Sequence, residues 1–571
     1  MLEKKWEYKY KKHKREEIIR ISKKYSLPSI ITAILLNRGI SEDKISSYFT
    51  KSMHDIINPL EMKDMDKAVA RIMSALEKKE PIVVYGDYDV DGITSTVVLY
   101  DFLRSHGADV EYYIPERISE GYGINTQAVN NLIKKGKKLL ISVDCGITAI
   151  GETSFAHLCG MDVIITDHHT CQERIPNDAV AVIDPKREDD TYPFDGLCGV
   201  GVAFKLILAL TIAMGENRNE CFNKYIDLVA IGTVADVVPL TNENRVFVDR
   251  GLRLLQNPSR PGVRALIELS GNRTSIDADT IGYTIAPRLN AAGRLYNASI
   301  SVDLLLCEDY NKALEIAKKL NAANHQRQTE EQKIFEQALD MIRRDVNFEK
   351  KKIIVLSNTG WHPGVIGIVA SKLNEMFYKP CILISDDGNG NGKGSGRSVP
   401  DFNLFDALRA CADSLVDYGG HSAAAGLVIN ISNIAKFSEA INKYADKHLS
   451  PDMLVPKLYI DCPIKPEHAT FQYAKALSKF EPFGMNNEKP VFSMDKLEVV
   501  HVNTVGTNNN HLKLTLMRNG ISFSGIGFSL GSLAPQLSTG MIIDAAFQLD
   551  IDYYLGGESI QLNIKDIKIV N

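Results

Sequence analysis

Three aspartates spaced two apart, in the run VVYGDYDVDGITST, carry the strongest hint of chemistry in the chain. Asp87, Asp89 and Asp91 follow a short apolar segment that reads as a buried strand. In extended backbone, residues two apart point to one side, so these carboxylates crowd together just past the strand's end. Like charges that close repel, and burial makes the repulsion costly unless a cation sits among them. Gly92 permits the sharp entry into the helical stretch ITSTVVLYDFL. Two further apolar runs end in the same way: KKLLISVDCG places Asp144 at its end, and MDVIITDHH places Asp167, His168 and His169. Asp236, in VAIGTVADVVPL, lies in the turn after a helix. Each Asp alone could be a helix N-cap. Three strand ends delivering acids and imidazoles to one edge are a site, because ligands of open parallel sheets bind outside the carboxyl ends of the strands.

The donor types narrow the ion. Carboxylates suit hard cations, and imidazoles shift the preference from Mg²⁺ towards Mn²⁺. The nine cysteines form no CxxC pair, so neither a zinc cluster nor a disulfide framework has support. So many oxygen and nitrogen donors exceed the need of one ion and suit two, and two adjacent ions are suited to hydrolysing phosphodiesters.

Such a site needs a sheet beneath it. From 61 to about 240, short apolar runs (PIVVYG, VEYYIP, KKLLISV, MDVIIT, AVAVI) alternate with helical stretches, the pattern of an α/β domain with a mainly parallel sheet. Residues 1–60 read as short helices. Residues 221–256 and 263–270 read as helical, and PRLNAAGR as a polar loop between helical regions. Residues 308–345 read as one long connecting helix without Gly or Pro. A second, smaller α/β domain follows over 346–454, with strands KKIIVLS and KPCILIS, the helix GVIGIVASKLNEMF and the glycine run GNGNGKGSGRS. That run is either an anion cradle or a loose hairpin tip. Residues 455–571 read as a C-terminal OB-like β-barrel, with turns at Arg518-Asn519-Gly520 and Gly556-Gly557.

A net charge of −5 argues against a protein that merely coats nucleic acid. The first 24 residues are an exception, with Lys4, Lys5, Lys9, Lys11, Lys12, Lys14 and Arg15 close together. They read as a solvated end or as a weak phosphate-binding arm. No uncharged apolar run is long enough to span a membrane and the start lacks a secretory pattern, so the expected location is cytoplasmic.

In order and spacing, GDYDVDG, SVDCG, TDHH and TVADVVPL resemble the four motifs of the DHH phosphoesterase family. PERISEGYG, APRLNAAGRL, GWHPGVIGIVASKL, GSGRSV, YGGHSAAAGL and FEPFG resemble its single-strand-specific exonuclease branch over almost the whole chain. The resemblance implies a DHH phosphoesterase domain over 61–307, a DHH-associated substrate-binding domain over 346–454, and a nucleic-acid-binding barrel. It implies 5′→3′ release of nucleotides from single-stranded DNA in recombination and repair, with Mn²⁺ or Mg²⁺. It assigns Asp89, Asp91, Asp144, His168 and Asp236 as metal ligands, with Asp87 beside them and His169 as a further catalytic candidate. It places Ser395, Arg397 and His421 on the nucleotide and its phosphate. The bidentate fit of Arg to phosphate adds Arg117, Arg288 and Arg294, with Asn290 between the last two. Single-strand-binding protein and a RecQ-type helicase are the expected partners of a monomer. Two other activities compete: a small-substrate DHH phosphoesterase for oligonucleotides or cyclic dinucleotides, and a non-catalytic replication scaffold.

Overall fold

The chain opens on strand β1 (Lys5–Tyr8), followed by helices Arg15–Tyr25, Ser29–Asn37 and Ile45–Thr50. The expectation of a purely helical N-terminal segment is thereby corrected. The four residues Lys5-Trp6-Glu7-Tyr8 are too short a run to mark a strand by alternation, and the strand's partner is distant in sequence. This computed structural model describes residues 3–9, 13–117, 119–271, 275–552 and 559–570. It divides into two compact units: 52–448 with 484–487, and 1–51 with 449–483 and 488–571. The segments expected as a DHH domain, a connecting helix and a substrate domain therefore share one unit, and the N-terminal segment joins the barrel in the other.

In the larger unit, β2 (Ile82–Tyr85), β3 (Val110–Tyr113), β4 (Leu139–Val143), β5 (Asp162–Thr166) and β6 (Ala181–Ile183) form a parallel sheet in the order β3-β2-β4-β5-β6. β2 and β4 are buried throughout, as strands covered on both faces must be. Val84, Ile141 and Ile164 pack against helices Val90–Ser105 and Gly199–Ala213. Val83, Leu140 and Ile165 pack against Thr126–Lys134 and Ile150–Leu158 on the other face. The chain leaves β2 in one direction for β3 and in the other for β4, so the carboxyl ends of β2 and β4 flank the switch point where such sheets bind ligands.

The helical reading of 221–256 is interrupted. Helix Arg218–Ala235 ends at Asp236, and Val237 takes a left-handed φ of 60° before Asn242–Leu255 begins. PRLNAAGR is not a loop but helix Ala286–Leu295, which follows the π-helical turn Ile281–Ile285 without a break, so the wide turn lies just before Pro287, whose missing N–H disrupts regular α-helical bonding. The long helix runs Tyr310–Arg344. It leads to a second sheet of β7 (Ile354–Thr359), β8 (Cys381–Asp386), β9 (Asn391–Arg397), β10 (Asp417–Gly420) and β11 (Ala424–Asn430), in the order β10-β11-β9-β8-β7. The glycine run is an interior strand, β9, not a loose tip. A Cβ at Gly392, Gly394 or Gly396 would lie within 2.8 Å of Ile384, Leu427 or Leu404, so these glycines let β9 pack tightly on its neighbours.

The smaller unit holds β12 (Lys457–Ile460), which pairs in parallel with β1, and β13 (Cys462–Pro463). β14 (Phe492–Val505), β15 (His511–Arg518), β16 (Ile521–Gly527), β17 (Ile542–Asp552) and β18 (Ser559–Ile569) close a barrel in the order β14-β15-β16-β18-β17, with β17 pairing back to β14. This is the five-stranded OB arrangement. Asn519 and Gly520 both take positive φ in the β15–β16 turn, as a two-residue hairpin requires. The expected turn at Gly556-Gly557 lies outside the described residues. Ile21, Ile31, Ile34 and Leu35 of the N-terminal helices share one core with Phe492, Leu514 and Phe547 of the barrel. Among the described residues no helix is long and apolar enough to cross a membrane.

Candidate active site

The loop after β2 is folded tightly onto the helix it feeds. A Cβ at Gly86 would meet Thr96 Oγ1 at 1.9 Å, and one at Gly92 would meet the Asp87 carbonyl oxygen at 2.6 Å. Asp89 caps helix Val90–Ser105, its Oδ1 accepting from the Gly92 amide at 3.1 Å. Asp91, in the first turn, is buried and accepts from the Gly199 and Val200 amides at 2.6 and 2.8 Å. Those amides open helix Gly199–Ala213, whose positive end faces the acids. Gly199 allows that approach, since a Cβ there would sit 2.5 Å from Asp144.

Asp144 follows β4 in the left-handed region (φ 59°), which Asp tolerates better than most residues. Its buried Oδ1 has no hydrogen bond but lies 3.1 Å from His168 Nε2. The same His168 nitrogen lies 3.6 Å from Asp236 Oδ2 and 3.8 Å from Asp91 Oδ2. Both ring nitrogens of His168, and Asp87 Oδ1, are likewise buried without a hydrogen bond. Three groups have potential ligand atoms within 4.8 Å of one another: Asp87, Asp89 and Asp144; Asp91, His168 and Asp236; and Asp144, His168 and His169.

Burial, and then the charge of Asp89, pushes the Asp87 carboxyl well up and that of Asp91 up to about 7. Burial and Asp91 push Asp144 well up and Asp236 up to about 9. His168 goes the other way, to about 3, through burial and then His169. The acids thus lack compensating positive charge, while His168 stays neutral with a lone pair to offer. Asp167 is different. Its oxygens accept from the Ile147 amide at 2.9 Å, the His168 amide at 2.7 Å and the His169 ring Nδ1 at 2.7 Å. Burial opposes its ionisation, but the His169 hydrogen bond and charge prevail and hold its carboxyl below the usual range. Burial equally opposes a charged His169, but Asp167 raises that ring to about 9.

The structure therefore gathers all six expected acid and imidazole ligands, Asp87, Asp89, Asp91, Asp144, His168 and Asp236, with His169 at their rim. Sequence reasoning missed three contributors. Tyr122, in the quoted EGYG run, donates to the Asp144 carbonyl oxygen at 3.2 Å and lies 3.1 Å from His169 Nδ1. Asp184 ends β6 next to Asp167, buried, with Oδ2 unpartnered. The Gly199 and Val200 amides were signalled only by the glycines of CGVGVAF.

In the same unit, a cleft of about 470 Å³ is lined by Arg117, Tyr122, Gly364, Lys393, Ser395 and Tyr418, among others. Arg397 donates to Ser395 Oγ at 3.2 Å and to the Gly396 carbonyl oxygen at 2.7 Å. Arg294 donates to the Gly364 carbonyl oxygen at 3.2 Å, and Arg117 lies over the Tyr88 ring at 4.8 Å. Burial and then Arg117 lower both Arg294, to about 10, and Arg397. Among the described residues none of these three arginines has a carboxylate within 4.0 Å, although Asp417 also lines the cleft. Two candidates are not drawn in. Arg288 is spent on Asn321 at 3.0 Å and the Thr284 carbonyl oxygen at 2.6 Å, because the helical form of PRLNAAGR puts it on a different face from Arg294. His421 is exposed on the turn after β10, its amide bonded to the Ala424 carbonyl oxygen at 2.8 Å. Asn290 is half-buried on the Arg294 helix.

Known proteins resemble this chain over its whole length. The family model for the DHH family N-terminal domain matches residues 81–233, that for the DHHA1 domain 350–447, and that for the RecJ OB domain 460–566. The single-stranded-DNA-specific exonuclease RecJ of Bacillus subtilis (strain 168) is 36% identical over 572 residues, covering 100% of this chain and 72% of its own. RecJ of Escherichia coli (strain K12) is 31% identical over 95% of this chain and 96% of its own. The crystal structure of RecJ in complex with Mn²⁺ from Thermus thermophilus superposes with a TM-score of 0.85 at 28% identity, over 99% of this chain and 80% of that one. With a full-length match at this identity, and DHH, DHHA1 and OB models in register with the two sheets and the barrel, the chain belongs to the RecJ family.

Proposed function

We propose that this chain is a single-stranded-DNA-specific exonuclease that removes nucleotides from the 5′ end, using two divalent cations, Mn²⁺ or Mg²⁺. The observation that carries the reading is the buried acid and imidazole cluster beside the arginine cleft. Its fit to metal rests on the unpartnered buried atoms of Asp87, Asp144 and His168, which a bound cation would satisfy together. Asp87, Asp89 and Asp144 would hold one ion, and Asp91, His168 and Asp236 the other, with Asp144 next to His168. When bound, the ions supply positive charge for the phosphate oxygens and a water acidic enough to attack near neutral pH.

The protein's own groups do the rest. Arg117, Arg294 and Arg397 with Ser395 bind the terminal nucleotide's phosphates. The amides of Gly199 and Val200 hold Asp91 in place, and Tyr122 braces the Asp144 loop. Asp167 anchors His169 as a proton donor at the rim. Water adds to phosphorus and the bond to the first nucleotide's 3′-oxygen breaks. That oxygen takes a proton, and the shortened strand keeps a 5′-phosphate. The small-substrate reading leaves the barrel without a role, and the scaffold reading leaves the complete acid set without one. The cytoplasmic location, the monomer and the partnership with single-strand-binding protein and a helicase remain part of the proposal. Asp144→Asn tests the site: a loss of about 10³-fold or more in hydrolysis supports it, and wild-type activity sinks it.

A further inference from the structure

The basic N-terminal stretch has no part in the site above, yet its first residues are built into the smaller unit. β1 and β12 pair as Lys5 with Lys457, Trp6 with Leu458, Glu7 with Tyr459 and Tyr8 with Ile460. Side chains alternate along strands, so the ribbon has two unlike faces. The inner face touches the barrel: Trp6 Nε1 donates to Asp566 Oδ2 at 2.7 Å, and Tyr8, still 47% exposed, has its Oη 3.3 Å from Ser493 Oγ. The outer face carries Lys5, Glu7, Lys457 and Tyr459, and Lys9 extends it with its ammonium 4.8 Å from the Tyr459 ring centroid. Tyr459 is 44% exposed, and Glu7 on this face is 3.8 Å from Lys5.

We propose that the outer face of the β1–β12 ribbon is a docking surface for single-stranded DNA, with Lys5, Lys9 and Lys457 on phosphates and Tyr459 under a base. The inference rests on the reading that the chain handles single strands. Three lysines concentrated on one face of a chain with net charge −5 select a polyanion. An exposed ring among them selects an unpaired strand, since a base stacks on it only when it is free of its partner. An acidic protein would use the lysines but not the ring. The ribbon is a two-stranded sheet of its own, apart from the barrel's strands, and joins residues 5–8 to 457–460.

The test is binding of a long, fluorescently labelled oligothymidylate to the full chain in EDTA, where no hydrolysis occurs, across a salt series. The triple variant Lys5→Glu/Lys9→Glu/Lys457→Glu should bind about tenfold or more weakly at low salt. Its slope of log affinity against log salt should fall by about 2, at about 0.7 per phosphate contact. Tyr459→Ala should weaken binding about fivefold or more without changing the slope. The corresponding Lys→Arg variant should bind as wild type. Unchanged melting curves and an unchanged rate on a dinucleotide with Mn²⁺ verify that the fold and the acid centre are intact. If the triple variant keeps wild-type affinity and slope, the proposal is overturned. It is equally overturned if only binding of polyglutamate is lost, which would make the ribbon an acidic-protein dock. If no variant, wild type included, hydrolyses any strand, the proposed activity fails, whereas the ribbon is judged by the binding series alone.

Discussion

Asp144 concentrates the energetic problem of the site. It is buried, its Oδ1 is unpartnered, and its carboxyl is pushed well up by burial and then by Asp91. Asp144→Asn removes a repelling charge while keeping the shape. We therefore expect the metal-stripped variant to melt at or above the wild-type temperature, although hydrolysis is lost. Calorimetry in EDTA checks this. A lower melting temperature would mean that the carboxylate is needed for the fold itself.

The same repulsion sets a pH dependence. Asp91 at about 7 and Asp236 at about 9 stand above their ordinary values, and His169 at about 9 is also raised. The folded state then holds more protons than the unfolded one, so stability from these groups is full below their ordinary values (3.8 for the acids, 6.5 for the imidazole) and is lost as pH rises from there to about 7 for Asp91 and about 9 for Asp236 and His169. His168, lowered to about 3, acts oppositely, but only between about 3 and its ordinary value near 6.5. Metal-stripped protein should therefore lose melting temperature between pH 7 and 9, and saturating Mn²⁺ should flatten that fall. Parallel curves with and without Mn²⁺ would contradict the assignment. Behind the cleft residue Ser395, Arg397→Ala should lower kcat/KM on 5′-phosphorylated strands by about 30-fold or more, the scale of a lost buried charge contact. Arg288→Ala, remote in its bonding, should affect stability more than turnover.

At the level of elements, glycines govern how close the loops come. Gly293 sits on helix Ala286–Leu295, where a Cβ would be 2.5 Å from the Tyr88 carbonyl oxygen. Gly293→Ala should therefore displace the Asp87–Asp89 loop, costing about 1–3 kcal/mol and most of the activity, checked by denaturant melts and hydrolysis together. These contacts explain what the sequence could and could not reveal. The carboxyl-end acids of β2, β4 and β5 were legible because a buried strand followed by an acid is a local pattern. The OB barrel was legible through Asn519-Gly520 and period-two strands. β1 was not, since four residues are too short a run to stand out and their partner β12 is distant in sequence. PRLNAAGR read as a loop because its polar residues and glycine lower helix propensity, and tertiary packing on Tyr88 overrides that preference. Tyr122 and the Gly199 amides were hidden for a related reason: their roles arise only when separate loops meet over one sheet.

At the scale of the molecule, one unit carries the acid centre and the arginine cleft, and the other closes its core from both ends of the chain. The chain spans 96% of the E. coli relative and 72% of the B. subtilis one. The most direct measurement is digestion of single- and double-stranded DNA, labelled at the 5′ or the 3′ end, with and without Mn²⁺. With Mn²⁺, the 5′ label should leave single strands as mononucleotide from the first time points. The 3′ label should stay on progressively shorter strands, the duplex should stay intact, and nothing should happen in EDTA. Release of the 3′ label first, equal cutting of duplex, or cleavage without divalent metal would contradict the proposed activity.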